Sequence, residues 1–61
     1  MTLIEIAQEA RPGELFKHDT DDAELYFDDD GELMVSDDDN EDFAYKVKQE
    51  DLLSIKWHFV W

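Results

Sequence analysis

The sequence predicts an α+β domain in which one N-terminal amphipathic helix packs on a small antiparallel sheet of about four to five strands with acidic hairpin loops. Three features predict it: a helix-start signal with helical periodicity near the N-terminus, an Asp-Gly turn between short apolar runs, and alternating apolar residues in the last third. Sixty-one residues leave room for a single domain, 1–61, with a thin core, because such a chain buries only about 60% of its unfolded surface.

The helix is predicted over residues 2–10. Thr2 and Glu5 have the spacing of a capping box, in which each side chain accepts a hydrogen bond from the other residue's backbone amide. Pro12 and Gly13 end the helix, because proline disfavours the helical conformation in the residue before it and glycine supplies turn geometry. The apolar residues recur at helical spacing: Leu3, Ile6, Ala7 and Ala10.

Five extended segments follow, and the last has the clearest period-two alternation. Asp30 and Gly31 predict a hairpin turn, because both tolerate positive φ. Residues 49–54 are interpreted as a turn or one short helical turn. The strands are predicted near 14–18, 24–27, 32–36, 43–48 and 55–60. The predicted core is Ile4, Ile6, Leu25, Phe27, Leu33, Val35, Phe43, Tyr45, Trp57 and Phe59.

The net charge of −13 is confined to one segment. Thirteen carboxylates lie between Asp19 and Asp42 with no Lys, Arg or His among them, whereas in the flanks five acids balance five bases. Disorder is not indicated, because 43% of the residues are hydrophobic and 13% are aromatic. The pattern favours a folded domain with a strongly acidic middle.

Composition excludes several classes of protein. The chain has no cysteine, so a disulfide framework and a thiolate metal cluster are both excluded, and a reducing cytoplasm is the expected location. The sequence shows neither a long apolar run nor an export signal, so we expect neither membrane insertion nor export. The negative charge repels nucleic acid, so direct nucleic-acid binding is not expected, and basic protein surfaces or cations are the natural partners.

The aspartate runs match the EF-hand calcium loop only in part. Placing Gly31 at loop position 6 puts Asp28 and Asp30 at positions 3 and 5, but it also puts Tyr26 at position 1 and Asp37 at position 12, where a calcium site needs an oxygen ligand and a glutamate. The sequence therefore predicts no specific metal site. Weak cation condensation is the remaining alternative.

No catalytic motif is present either. His18 and His58 lack metal-ligand spacing and are interpreted as solvent-facing strand residues. Ser36 and Ser54 lie outside any Gly-x-Ser-x-Gly elbow, and the two glycines form no phosphate-cradling loop. We expect no enzymatic activity and no cofactor.

The acidic segment predicts a protein that imitates DNA and inhibits a host nucleic-acid-binding protein through a carboxylate-rich face. Duplex DNA carries one charge per ~1.7 Å of axis, so thirteen charges match about 22 Å of duplex, close to the ~27 Å diameter expected for 61 residues. Tyr26 and Met34 are candidate apolar neighbours. The predicted partner-binding residues are Asp21, Asp22, Glu24, Asp28, Asp29, Asp30, Asp37, Asp38, Asp39 and Asp42.

In size, acidity, lack of cysteine and helix-then-sheet plan, the chain resembles small bacteriophage host-takeover proteins, which include inhibitors of uracil-DNA glycosylase, anti-CRISPR proteins and anti-restriction DNA mimics. A second, local similarity covers about 18 of the 61 residues, Ile6 to Gly13 and Asp51 to Val60. These segments look like small phage proteins with a leading helix and a closing acid-Leu-Leu-x-x-x-Trp strand, some of which are Thoeris anti-defence proteins that sequester a signalling nucleotide. This chain lacks their basic, glycine-rich middle, so no ligand site is carried over.

Three alternatives remain open from the sequence. The chain could be a small structural or adaptor protein with a merely solvated acidic surface. It could also be an anti-defence protein that binds a cation or a nucleotide signal. A homodimer would relieve the thin core, and Trp61 is the residue that could contact a second copy.

Overall fold

A computed structural model describes residues 1–37 and 41–60. The elements in chain order are α1 (Leu3–Glu9), β1 (Phe16–His18), β2 (Glu24–Phe27), β3 (Leu33–Ser36), β4 (Phe43–Ala44), α2 (Gln49–Leu53) and β5 (Trp57–Phe59). The five strands form one antiparallel sheet in the order β4-β3-β2-β1-β5. The predicted α+β class, with one leading helix on an antiparallel sheet, is therefore confirmed.

The predicted capping box begins α1. The Glu5 amide donates to Thr2 Oγ1 at 3.1 Å, and the Thr2 amide donates to Glu5 Oε1 at 2.9 Å. Leu3 and Ile6 are buried, whereas Ile4, which was assigned to the core, is 58% exposed. That assignment was wrong because Ile4 lies about 100° around the helix from Leu3 and faces away from the sheet.

The hairpin between β2 and β3 forms where predicted, but its turn differs. Asp29 and Asp30 are the central residues, since the Gly31 amide donates to the Asp28 carbonyl at 3.0 Å. Gly31 follows in the left-handed region with φ of 82°, the arrangement of a type I turn followed by a bulge. The Asp-Gly signal therefore located the hairpin but misplaced the turn by one residue.

Strand β2 has the predicted bounds, whereas four strands are shorter than predicted: β1, β3, β4 and β5. Strand β4 has two residues because the chain leaves the sheet after Tyr45, whose hydroxyl donates to Asp51 Oδ2 at 2.7 Å. Strand β5 begins at Trp57, where the Met1 carbonyl accepts the Trp57 amide at 2.9 Å. The segment interpreted as a turn or short helical turn forms α2.

Both helices lie on the same face of the sheet. This face carries Phe16, Leu25, Val35 and Trp57, which are buried together with Leu3 and Ile6. Phe16 is fully buried and was missing from the predicted core. Phe43, which was included, is 55% exposed because it lies on the edge strand. The remaining members of the predicted core are partly buried around this cluster: Phe27, Leu33, Tyr45 and Phe59.

Candidate functional site

The predicted partner-binding carboxylates lie at the two opposite ends of the β2–β3 hairpin. The ends are about 17 Å apart, because Asp37 lies five positions after Glu32 along an extended strand that rises about 3.4 Å per residue. The turn end carries Asp28, Asp29 and Asp30. The open end carries Asp21, Asp22, Glu24, Asp37 and Asp42. Asp38 and Asp39 lie outside the described residues. The described carboxylates thus form two groups, one at each end of the hairpin, in the positions that the predicted acidic hairpin loops imply.

Asp21 and Asp28 have an internal structural role as well as a charge. Asp28 Oδ1 accepts the amides of Asp30 at 3.0 Å and Glu32 at 2.8 Å, which holds the hairpin turn. Asp21 Oδ1 accepts the Ala23 amide at 3.0 Å just before β2. Both carboxylates accept hydrogen bonds from backbone amides for which the loop supplies no carbonyl partner.

Asp42 closes the loop between β3 and β4. Its Oδ1 accepts the Asp37 amide at 3.0 Å, and its Oδ2 accepts the Tyr26 hydroxyl from β2. The hydrogen bond to Asp42 is the main cause that raises the pKa of Tyr26 above its ordinary value. The Tyr26 hydroxyl, followed by the Asp37 amide, lowers the pKa of Asp42. Asp42 therefore stays ionised to lower pH than an isolated aspartate.

Four of the predicted residues have no side-chain partner within the described part of the chain: Asp22, Glu24, Asp29 and Asp30. The aspartates are exposed and Glu24 is half-buried. No lysine or arginine lies within ion-pair distance of these four among the described residues, whereas Asp19 lies 2.6 Å from His58 Nδ1. Their charge is open to an external partner.

A groove of about 480 Å³ lies at the open end of the hairpin. Apolar walls come from Ala23 before β2, Val35 on β3 and Phe43 on β4. Four polar residues complete the lining: Asp22, Glu24, Ser36 and Asp37. Sequence reasoning missed this groove because its walls are separated by about 20 residues in the chain and meet only through strand pairing.

The second face of the sheet carries the two residues predicted as apolar neighbours. Tyr26 and Met34 are directly paired across β2 and β3, and Met34 pairs with Ala44 on β4. They lie on the face opposite the buried Leu25 and Val35, because successive strand residues alternate between faces. Neither helix packs there, so both residues remain half-exposed between the two acidic ends.

His18 forms a network that the sequence did not predict. His18 Nδ1 lies 2.9 Å from Thr20 Oγ1 and accepts the Thr20 amide at 3.2 Å, and His18 Nε2 lies 2.6 Å from Ser54 Oγ. Ser54 Oγ also accepts the Lys56 amide at 3.2 Å. This corrects the interpretation of His18 as merely solvent-facing. It joins β1 to the residue that follows α2, because His18 and Ser54 are in hydrogen-bond contact.

Within residues 1–37 and 41–60, no three His, Asp or Glu side chains come together as a metal-binding group. None of the described helices has the length and apolarity needed to cross a bilayer. Comparison of the chain with protein-family models, curated proteins and solved structures finds no match.

Proposed function

We propose that this chain is a DNA-mimic inhibitor that occupies the nucleic-acid-binding surface of a basic host protein. The observation that carries the proposal is the display of carboxylates without internal partners at both ends of the β2–β3 hairpin: Asp22 and Glu24 at one end, Asp29 and Asp30 at the other. A surface of this kind attracts the lysines and arginines that otherwise bind phosphates.

The dimensions support the proposal. Thirteen charges correspond to about 22 Å of duplex at one charge per ~1.7 Å. The chain measures 28 × 23 × 21 Å, so its charge density along one axis is close to that of DNA. The two acidic ends, about 17 Å apart, flank a partly apolar sheet face, much as two phosphate backbones flank a major groove that is about 12 Å wide.

The chain acts by binding in this proposal, without catalysis or a cofactor. Its partner is a nucleic-acid-binding protein of a bacterial host, the complex forms in the host cytoplasm, and a bacteriophage encodes the chain. The acidic surface does not bind nucleic acid itself, because like charges repel.

The first experiment is affinity capture from bacterial lysate at low salt, followed by elution with a salt gradient and mass spectrometry. The tag follows residue 61, because the Met1 amino group donates to the carbonyls of Ile55 and Trp57 and should stay free. We expect one DNA-binding protein in stoichiometric amount, released by added duplex DNA and by high salt.

A variant with Asp22→Asn, Glu24→Gln, Asp29→Asn and Asp30→Asn removes four charges and no internal hydrogen bond of the described residues. It should remain folded and lose the captured protein. Retention of the partner by this variant, or capture that duplex DNA does not compete, would overturn the proposal. A diffuse set of abundant basic proteins would instead favour a solvated acidic surface on an adaptor.

A further inference from the structure

The sheet face that neither helix covers carries one row of apolar side chains across the strands. Tyr26 on β2 pairs with Met34 on β3, and Met34 pairs with Ala44 on β4. On the other side of Tyr26, the β1–β2 register places Leu15, whose carbonyl accepts the Val60 amide at 3.1 Å. These five residues form the exposed row.

The exposed row is not part of the core. Among the described residues, the buried core cluster and the side chains packed against it include none of the five. Leu15, Tyr26 and Met34 are half-buried, whereas Ala44 and Val60 are exposed. We propose that the exposed row binds an α-helix of the partner whose apolar stripe is flanked on both sides by lysine or arginine, an inference that rests on the proposed function.

Charge complementarity on both sides of the exposed row determines the flanks of this helix. Strand alternation places four carboxylates on the same face, two residues along the chain from a member of the row: Glu24 and Asp42 towards the open end of the hairpin, Asp28 and Glu32 towards its turn. Lys17 and Lys46 share this face, but neither forms an ion pair with these carboxylates within the described part of the chain. The apolar row therefore lies between two rims with an excess of negative charge.

The dimensions suit a helix. The row spans about 19 Å, because five strands have four spacings of about 4.8 Å, and this is the length of about 13 helical residues. The acidic ends, about 17 Å apart, leave room for a helix of about 10–12 Å in diameter and for its long basic side chains on each side.

The same dimensions connect this face to the proposed function. The major groove of DNA also admits an α-helix, so one basic helix of the partner can contact either surface. A second copy of this chain is disfavoured as the occupant, because each copy carries a net charge of −13 and its acidic rims would meet like charge.

The test is an NMR titration of the isotope-labelled protein with the amphipathic peptide acetyl-KLKQLAQKLKQLAQ-amide. Its leucines and alanines lie on one side of a helix, and its lysines flank them. We expect chemical-shift changes concentrated at the amides of the exposed row and a gain of helical circular dichroism in the peptide. A peptide of the same composition, with its leucines distributed around the helix, should bind at least about tenfold more weakly. Equal binding of the two peptides would overturn the inference.

Two polar substitutions separate the exposed row from other exposed apolar residues. Met34→Gln should weaken peptide binding about tenfold, because it removes the apolar side chain at the centre of the row. Ile4→Gln is the matched control, since Ile4 is 58% exposed on α1, and should leave binding within about twofold. Circular dichroism verifies that both variants fold. Equal losses, or a homodimer in sedimentation equilibrium that Met34→Gln dissociates, would contradict the helix site.

Two double variants with equal change of charge test the rims. Glu24→Gln with Glu32→Gln removes one charge from each side of the row and should weaken binding about fivefold at low salt. Glu9→Gln with Glu50→Gln removes two charges from the helices and should leave binding within about twofold. Equal losses in the two double variants would reduce the binding to general attraction by the net charge.

The outcomes distinguish this inference from the proposed function. If lysate capture finds a DNA-competed partner that Met34→Gln still captures, and the amphipathic peptide does not bind, the inhibitor proposal stands and the helix site is wrong. If the peptide binds at the exposed row but no nucleic-acid-binding protein is captured, the helix site stands and the proposed function fails.

Discussion

Asp42 accepts the hydroxyl of Tyr26 across the width of two strands. This hydrogen bond ties the loop before β4 to the exposed face of β2, and the same carboxylate accepts the Asp37 amide. A residue in the most acidic part of the chain thus stabilises the fold as well as adding charge. The hydrogen bond between the two side chains raises the pKa of Tyr26 and lowers the pKa of Asp42.

The first prediction concerns acid stability. The pKa of Asp42 in the folded state lies below the ordinary value of 3.8. The ionised carboxylate therefore stabilises the fold above pH 3.8, and this stabilisation is lost as the pH falls from 3.8 through the folded-state pKa. Asp42→Asn should therefore destabilise the chain at neutral pH and matter less in acid. Urea unfolding at several pH values measures this. Tyr26→Phe, which removes the main donor, should weaken the same pH dependence, and an unchanged profile in both variants would contradict the assignment.

The second prediction concerns alkaline stability. Burial, followed by the hydrogen bond to Asp51, raises the pKa of Tyr45 from 10.0 to about 12. Since the raised pKa favours the neutral form in the folded state, this stabilisation is complete below pH 10 and is lost as the pH rises from 10 to about 12. The free energy of unfolding of Tyr45→Phe should therefore fall less between pH 10 and about 12 than that of the unmodified chain. The ultraviolet absorbance of tyrosinate follows the titration. Because the chain has two tyrosines, the absorbance of the Tyr45→Phe variant reports the titration of Tyr26 alone.

The third prediction separates structural from free aspartates in the hairpin turn. Asp28→Ala removes the acceptor of two backbone amides and should lower the free energy of unfolding by about 1 kcal/mol. Asp29→Asn with Asp30→Asn removes two mutually repelling charges and should raise the melting temperature. Thermal unfolding followed by circular dichroism measures both. Opposite signs are the expected result, and destabilisation by the double variant would argue that its carboxylates have an internal role.

The fourth prediction concerns the core. The fully buried Phe16 ring lies 5.5 Å from Phe27, 6.1 Å from Trp57 and 6.5 Å from Phe59 between ring centroids. Phe16→Ala should cost about 3–5 kcal/mol, which is enough to unfold much of so small a domain. Phe43→Ala, on the exposed edge, is the matched control and should cost about 1 kcal/mol or less. Similar losses in the two variants would place the core elsewhere.

The fifth prediction gives salt opposite effects on folding and binding. Raising the ionic strength from about 0.01 to 0.15 M shortens the screening length from about 30 to 8 Å, which weakens repulsion between the two acidic ends. The melting temperature should rise while affinity for a captured basic partner falls. Calorimetry and a binding titration over the same salt series measure both. Parallel changes in stability and affinity would show that the acidic ends are not the binding surface.

Local patterns predicted most of the secondary structure. The Thr2–Glu5 spacing located the start of α1, and the alternation around Leu25 and Val35 identified which residues face the helices. These signals involve residues a few positions apart, whose geometry depends on the helical and extended periods alone. The same reasoning could not place Phe43 on an edge, because strand order depends on contacts between distant parts of the chain.

The sequence by itself determined the charge of the molecule, its confinement to residues 19–42, and the α+β plan. The tertiary structure decided which carboxylates are used internally and that Asp22, Glu24 and Phe43 line one groove. The physical reason is that charge and periodicity are sums over neighbouring residues, whereas a groove and a hydrogen-bond partner exist only after strand pairing brings separate segments together.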